Sequence, residues 1–342
     1  MTSRTRSRPL HIALEIDGAS TANPGADPLS PRHLAEVVAG AERAGLALAT
    51  FDDSPLPPDG GLRLDATTRA AYVATLTDRI ALAPASHVTT AEPFHLAAQL
   101  ASLDHATHGR AAWLVGATAR PEALATVGRP PIESGALRQE VADVVEVVRR
   151  LWDSWEDDAV IKDVATGRYL DPGKVHHVDF HGETFSVKGP LITPRPPQGS
   201  LVVLAPDTLA AAARPDVALV ADPDPDEVRR RAHHARDHGT PLVFAEADIT
   251  FGATGPIGCT GRLRHHGSPA DLVSLLRTLA GSVDGVRLHP AALATDLPVL
   301  AGQVLPALRE AGLHAPPETG ATLRESLGLA RPANRFAALP KG

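Results

Sequence analysis

The stretch from Thr89 to Trp113, TTAEPFHLAAQLASLDHATHGRAAW, has the most informative pattern in this chain. Its central part, from Glu92 to His105, is predicted to be a helix that begins through Pro93 in its first turn. Short apolar runs on either side predict buried strands at Arg79–Ala85 and Arg110–Val115. The stretch therefore predicts one strand–helix–strand unit.

The same alternation of strand and helix continues along most of the chain. Apolar strands that alternate with helices indicate a parallel sheet covered on both faces, and eight such units fit a (β/α)₈ TIM barrel of the α/β class. A doubly wound open sheet is the alternative, but the first strand–helix turn, Asp17–Ser20, lacks the glycine pattern of dinucleotide-binding folds. The other predicted strands are Leu10–Ile16, Leu46–Phe51, Leu201–Ala205, Val217–Val220, Leu242–Ile249 and Val283–Leu288. The other predicted helices are Pro31–Ala44, Asp65–Asp78, Leu137–Trp152, Asp224–His238, Pro269–Ala280 and Leu297–Ala311.

One segment interrupts the alternation before the fifth strand. Residues 153–199 are rich in Gly, Pro, His and Asp, and their only predicted regular piece is a hairpin around Val175–Val187. Because the alternation resumes afterwards, we interpret the segment as an insertion. We expect one barrel domain over residues 10–338, preceded by a disordered basic tail at residues 1–9.

Composition and charge exclude several classes of protein. The formal net charge of −7 disfavours a nucleic-acid-binding protein, which normally carries a basic surface. Cys259 is the single cysteine, so an internal disulfide framework is excluded. No apolar run is long enough for a membrane-spanning helix, and the first residues lack the apolar core of a secretory signal. We therefore expect a cytoplasmic protein that binds neither nucleic acid nor membrane.

Several long, ordered segments resemble one known family. Together they are similar to the bacterial luciferase-like flavin-dependent monooxygenases, and in particular to the branch that oxidises nitrilotriacetate, long-chain alkanes and sulfur compounds. Beyond the opening stretch, the matching segments are Glu42–Gly45 with Asp52–Ser54, Arg168–His176, Lys188–Leu191, Pro194–Gly199, Thr322–Leu329 and Arg331–Arg335.

This resemblance implies a function and a site. It implies a barrel that uses reduced FMN, supplied by a separate flavin reductase, and oxygen to oxidise a small organic substrate, in a chain that self-associates. Barrel enzymes carry their chemistry at the carboxyl ends of the strands, so candidate residues come from there. The candidate catalytic residues are His87 and Thr89. The candidate cofactor-binding residues are Asp53, Ser86, Val88, Leu114 and Thr118.

Some of these candidates also have structural interpretations. Asp53 could serve as a turn or helix-capping residue, and His87 could be a solvated loop histidine. Glu92 suits the positive start of a helix, and Asp104 with His105 is expected to fasten the next loop.

Three departures from the family pattern affect the flavin site. Leu114 takes the place of an Asn, and Ser134-Gly135 replaces an Arg-Tyr pair near the phosphate. Pro206-Asp207 replaces the Gly-Ser-Ser turn that cradles the phosphate; proline has no N–H to donate, and a carboxylate would repel a dianion. We expect Asp207 instead to be the N-cap of the next short helix.

Two functional hypotheses therefore stay open. The first is a luciferase-like monooxygenase that uses FMN or a deazaflavin. The second is a non-catalytic paralogue that has lost flavin binding and serves as a binding or partner protein.

Other possible sites are weaker. Adjacent histidine pairs such as His233-His234 point apart on regular elements, and no zinc motif is present, so we expect no metal site. The glycine-rich loop Gly252–Gly261 follows the seventh strand, where barrels often bind phosphate. It is either an alternative anion site or the remnant of a shortened region.

Overall fold

The computed structural model describes residues 9–17, 27, 29–57, 62–252 and 260–337. Apart from Pro9, the tail expected at residues 1–9 lies outside these ranges. So do Cys259 and most of the glycine-rich loop at 252–261.

Within these ranges, eight parallel strands close into a barrel, which confirms the predicted TIM barrel. The strand order around the barrel follows the order along the chain, and the last strand pairs with the first. The barrel strands are β1 (His11–Glu15), β2 (Leu48–Phe51), β3 (Ala81–His87), β4 (Ala112–Gly116), β9 (Val202–Pro206), β10 (Val217–Val220), β11 (Leu242–Thr250) and β13 (Gly285–Pro290).

Helices lie between successive barrel strands, and the last three of them follow the final strand, β13. They are α1 (Pro31–Ala44), α2 (Ala66–Ala74), α3 (Pro93–Ala106), α4 (Pro121–Ala125), α5 (Ser134–Asp153), α6 (Ala210–Ala213), α7 (Pro225–Asp237), α8 (Pro269–Leu279), α9 (Leu293–Val299), α10 (Leu305–Glu310) and α11 (Leu323–Ser326). The single helix predicted over Leu297–Ala311 is wrong, because a π-helical turn at Leu300–Val304 separates α9 from α10. In the described ranges, no helix combines the length and apolar character needed to cross a bilayer.

The helix boundaries follow local sequence signals. Ser30 caps α1 by accepting a hydrogen bond from the His33 N–H, and Gly45 ends the helix with a φ of 84°, which glycine adopts without strain. Glu92 caps α3 by accepting from the N–H groups of Phe94 and His95. The structural interpretation of Glu92 therefore matches its observed contacts.

The end of the opening stretch is fastened by a buried carboxylate. Asp104 Oδ1 accepts hydrogen bonds from Gln198 Nε2 at 2.6 Å and from the Ala111 N–H at 3.2 Å, and Oδ2 accepts from the Gln198 N–H at 3.2 Å. His105 Nε2 lies 3.3 Å from the carbonyl oxygen of Pro194. As predicted, Asp104 contacts the far side of the loop that follows α3, at Ala111, but both side chains also hold the end of the insertion, which was not predicted.

The insertion contains more regular structure than predicted. The hairpin expected around Val175–Val187 is present as the antiparallel pair β7 (Phe180–His181) and β8 (Ser186–Val187). A second pair, β5 (Val160–Asp163) and β6 (Arg168–Leu170), was missed because its side chains are mostly exposed and show no alternation of buried and exposed positions. One further strand, β12 (Leu263–His266), extends the sheet beside β11 outside the barrel ring.

Two apolar clusters follow from the alternation of side chains along the strands. One lies between the strands and the surrounding helices, and the other fills the barrel lumen. Leu323, in α11, and Leu327, just after it, belong to the apolar cluster that fills the lumen. The lumen residues of β4, β9 and β10 are apolar up to the carboxyl ends of these strands, among them Leu114, Leu204 and Leu219.

Candidate functional site

Polar side chains replace apolar ones on the opposite side of the lumen. Glu15, Thr50, Glu246, Arg287 and His289 continue the inward-facing alternation of β1, β2, β11 and β13 towards their carboxyl ends. None of these residues was predicted from the sequence. The signal that could have found them is a charged residue within an apolar strand, as in LVFAEADIT and GVRLHP.

Arg287 is the centre of this lumen cluster. Its Nη2 donates to Glu15 Oε2 at 2.5 Å, and its Nη1 donates to Glu246 Oε1 at 2.8 Å. Its Nε donates to Thr50 Oγ1 at 2.9 Å, and that hydroxyl donates to Glu15 Oε2 at 2.8 Å. One buried guanidinium thus donates hydrogen bonds to two buried carboxyl side chains and to the Thr50 hydroxyl.

The environment of the cluster shifts the pKa values of Glu246 and His289. Burial alone would raise the pKa of Glu246, but Arg287 and His289 outweigh it and hold that pKa at about 2. Burial lowers the pKa of His289, whose Nε2 lies 3.2 Å from Glu246 Oε1. At neutral pH Glu246 is therefore ionised and the His289 imidazole is uncharged.

We expect the ionisation of Glu246 to make the unfolding free energy of the protein depend on pH in the acidic range. Because its folded-state pKa is depressed, its contribution is present above its ordinary pKa and is lost as pH falls towards 2. Between pH 6 and pH 3 the wild-type protein should lose about 2 kcal/mol more unfolding free energy than Glu246→Gln. Urea unfolding at a series of pH values measures this difference, and parallel curves for the two proteins would contradict it.

The candidate residues His87 and Asp53 meet at the ends of β3 and β2. The Nε2 atom of His87 lies 3.2 Å from the carbonyl oxygen of Asp53, and its buried Nδ1 has no hydrogen-bond partner in the described ranges. The ring lies against Gly116, where an added Cβ would approach it to 2.8 Å. The Asp53 carboxylate accepts from the N–H groups of Ser54 and Ala66, as expected for a turn residue.

Thr89 and Thr118 meet in the neighbouring loops. The fully buried Thr89 accepts a hydrogen bond from the Thr118 N–H at 3.2 Å. Arg129 donates to the Thr89 carbonyl oxygen at 3.0 Å and pairs with Glu140 at 2.6 Å. The Thr89 hydroxyl therefore joins two loops, which is a structural contact.

The remaining candidates do not converge on one place. Leu114 faces the lumen with the apolar cluster, whereas Val88 belongs to the outer core. Ser86 alternates with Ala85 and His87, so it lies on the outward face of β3. In the described ranges, no group of three or more His, Cys, Asp or Glu side chains is arranged to hold a metal ion.

The Pro206-Asp207 turn is occupied by an ion pair. Arg231 of α7 donates from Nε to Asp207 Oδ2 at 2.8 Å and from Nη2 to Asp207 Oδ1 at 2.6 Å. Its Nη1 also approaches Asp222 Oδ2 at 3.3 Å. The prediction that Asp207 is an N-cap is wrong, because its carboxylate makes no capping hydrogen bond and is held by Arg231 instead.

These residues do not fit an FMN phosphate at this turn. Pro206 offers no N–H, and the Arg231 guanidinium is shared by two carboxylates. Helix α7, which follows β10 and carries Arg231, begins with Asp224 as its cap and with Asp226 and Glu227 in its first turn, which repel an anion. On the adjacent strand, Leu114 offers no polar group to a flavin ring.

Comparisons with known proteins give a consistent result. A family model for luciferase-like monooxygenases matches residues 11–257. The chain is 34% identical over 306 residues to one subunit of the pristinamycin IIA synthase of Streptomyces pristinaespiralis, covering 89% of this chain and 91% of that protein. It is 40% identical over 153 residues to N-acetyl-S-(2-succino)cysteine monooxygenase of Bacillus subtilis (strain 168), which covers 44% of this chain but only 35% of that relative.

The fold comparison extends over almost the whole chain. The crystal structure of a long-chain alkane monooxygenase superposes with a TM-score of 0.83 at 20% identity, covering 94% of this chain and 96% of that one.

Proposed function

Because the chain belongs to the luciferase-like monooxygenase family, we propose that it is one subunit of a flavin-dependent oxygenase whose tightly held flavin lies in a second, related subunit. The Asp207–Arg231 pair carries this proposal, since it occupies the turn where the family resemblance places the phosphate. Members of the family are flavin-dependent and act on small organic substrates. In the proposed complex, a separate reductase supplies the reduced flavin.

Similarity to a synthase subunit supports this proposal. The relative that aligns over nine tenths of its own length is named as one subunit of a synthase, and not as a complete enzyme. In such an arrangement the barrel of this chain supports its partner, and its lumen needs no room for a cofactor. The buried lumen cluster around Arg287 is compatible with that role, because its polar groups are satisfied internally.

One observation favours a second candidate function, in which this chain performs the oxygenation itself. His87 stands at a strand end, and its buried Nδ1 has no hydrogen-bond partner in the described ranges, which favours a functional role because buried polar atoms are normally paired. This candidate requires FMN or a deazaflavin to bind here through groups other than the Pro206-Asp207 turn.

Flavin titration separates the two functions. We expect the purified chain to bind oxidised FMN, reduced FMN and the deazaflavin with dissociation constants no lower than on the order of 100 µM. The double variant Pro206→Gly and Asp207→Gly restores an N–H and removes a carboxylate, so its FMN affinity should rise by about tenfold. Fluorescence quenching of the flavin measures both quantities.

The controls make the result decisive. Glu36→Gln removes an exposed carboxylate of α1 that pairs with Arg32, away from this turn, and it should leave the affinity unchanged. Submicromolar FMN binding by the wild-type chain would refute the subunit proposal and support the second candidate. An unchanged affinity in the double variant would show that the phosphate does not belong at this turn.

A further inference from the structure

A large cleft lies at the amino end of the barrel, opposite the strand ends considered above. Its volume is about 1000 Å³, at the upper end of the range of small-molecule sites. We call it the floor cleft. Residues from the starts of β1, β11 and β13 form one wall, and the segment from Ala315 to Glu318 with the neighbourhood of α11 forms the other.

The floor cleft has an aromatic and apolar wall. His11 lines it, and its ring stacks on Phe244 with centroids 6.1 Å apart and an interplanar angle of 16°. Gly285 makes this stack possible, because a Cβ there would lie 2.6 Å from the Phe244 ring. Leu10, Val283 and the prolines at 316 and 317 add apolar surface. A planar ring would find matching surface here.

The His11 ring is uncharged and available. Burial and the nearby His314 lower its pKa, against the opposing effect of Asp284. No hydrogen bond joins the His11 side chain to another residue in the described ranges. A neutral imidazole can offer one donor and one acceptor to a ligand and does not repel a cation.

The charged side chains that line the floor cleft carry an excess of negative charge. Asp284 is paired with Arg236 at 2.7 Å, which leaves that pair neutral. Glu325 and Glu318 are the other charged residues that line the cleft, and both are carboxylates. Glu325 caps α11, whereas the exposed Glu318 side chain has no partner in the part of the chain that the structure describes.

From this combination we propose that the floor cleft binds a small aromatic cation, a planar ring that carries a protonated amine or amidinium group. The apolar wall beside His11 takes the ring, and Glu318 and Glu325 attract the charge. This site lies at the opposite end of the barrel from the Pro206-Asp207 turn, so it is independent of the proposed function.

Calorimetric titration with benzamidine and with benzamide, its neutral analogue, tests the proposal. Benzamidine should bind about tenfold more tightly, since two exposed carboxylates each contribute roughly threefold. Glu318→Gln should weaken benzamidine binding by roughly threefold and leave benzamide binding unchanged. Ala321→Trp should abolish the binding of both, because it fills the cleft with an indole.

A matched control and clear contrary results complete the test. Glu122→Gln removes an exposed carboxylate on α4, at the other end of the barrel, and should change nothing. Equal affinities for benzamidine and benzamide, benzamidine binding that survives Ala321→Trp, or no binding of benzamidine at millimolar concentration would each overturn the proposal. Circular dichroism of each variant verifies that the barrel is folded.

Discussion

Replacing Arg287 by methionine should destabilise the protein by about 3 to 5 kcal/mol, because it leaves two buried carboxylates without their cation. Glu15 and Glu246 both lie in the lumen, and both depend on the same guanidinium. Thr50 would also lose the Nε donor that now faces its hydroxyl. Urea unfolding at pH 7.5, followed by circular dichroism, measures the loss.

Two further variants identify the cause. The triple variant Glu15→Gln, Glu246→Gln and Arg287→Met removes the charges together, so it should recover most of the stability that Arg287→Met loses. Arg32→Met breaks an exposed ion pair with Glu36 and should cost less than about 1 kcal/mol. A loss below about 1 kcal/mol for Arg287→Met itself would mean that the lumen cluster does not stabilise the barrel.

Replacing Asp104 by alanine should cost about 3 kcal/mol, because it leaves buried N–H groups without an acceptor. The carboxylate is fully buried and accepts from Ala111 and twice from Gln198. Gln198 also donates to the Ala111 carbonyl oxygen and accepts from the Arg324 N–H. Loss of Asp104 should therefore weaken the contacts that hold the end of α3, the start of β4 and the start of α11 together.

The unfolding free energy that Asp104→Ala removes should also depend on pH. Burial raises the pKa of Asp104 to about 6, above its ordinary value, so its stabilising contribution is complete at low pH and declines as pH rises through 6. The difference between wild type and Asp104→Ala should accordingly be about 1 kcal/mol larger at pH 5 than at pH 7.5. Ser102→Ala, on the exposed face of α3, should stay within about 0.5 kcal/mol of wild type at both pH values. An Asp104→Ala cost below that control would contradict the prediction.

Much of the fold could be predicted because its signals are local. Ser30, Pro31 and Gly45 mark the ends of α1, and the bounds predicted for that helix agree with the structure. The alternation of apolar strands with helices predicted the eight parallel strands. The local patterns did not predict the break between α9 and α10, where apolar helical periodicity continues across a π-helical turn. They also missed β5 and β6, whose exposed side chains carry little periodic signal.

The candidate site was harder to predict, because it depends on side chains that are distant along the chain. The meeting of His87 with Asp53 follows from strand ends that the sequence already placed side by side. The partner of Asp207 could not be read locally, since Arg231 lies on another helix 24 residues away. The sequence indicated that this turn is unsuited to a phosphate. It suggested the wrong role for the Asp207 carboxylate, which pairs with Arg231 and does not cap a helix.

By itself, the sequence determined the family, the barrel and the positions of the strand ends, because apolar periodicity, caps and turns act between neighbouring residues. Only the tertiary structure decided what lies inside the barrel. Glu15 and Arg287 are far apart in sequence, yet their strands are neighbours when the barrel closes, and a buried charge is tolerated only beside its partner. For the same reason, the segment from Thr89 to Trp113 specified a barrel unit, while the contact between Asp104 and Gln198 that fastens it appeared only in the folded chain.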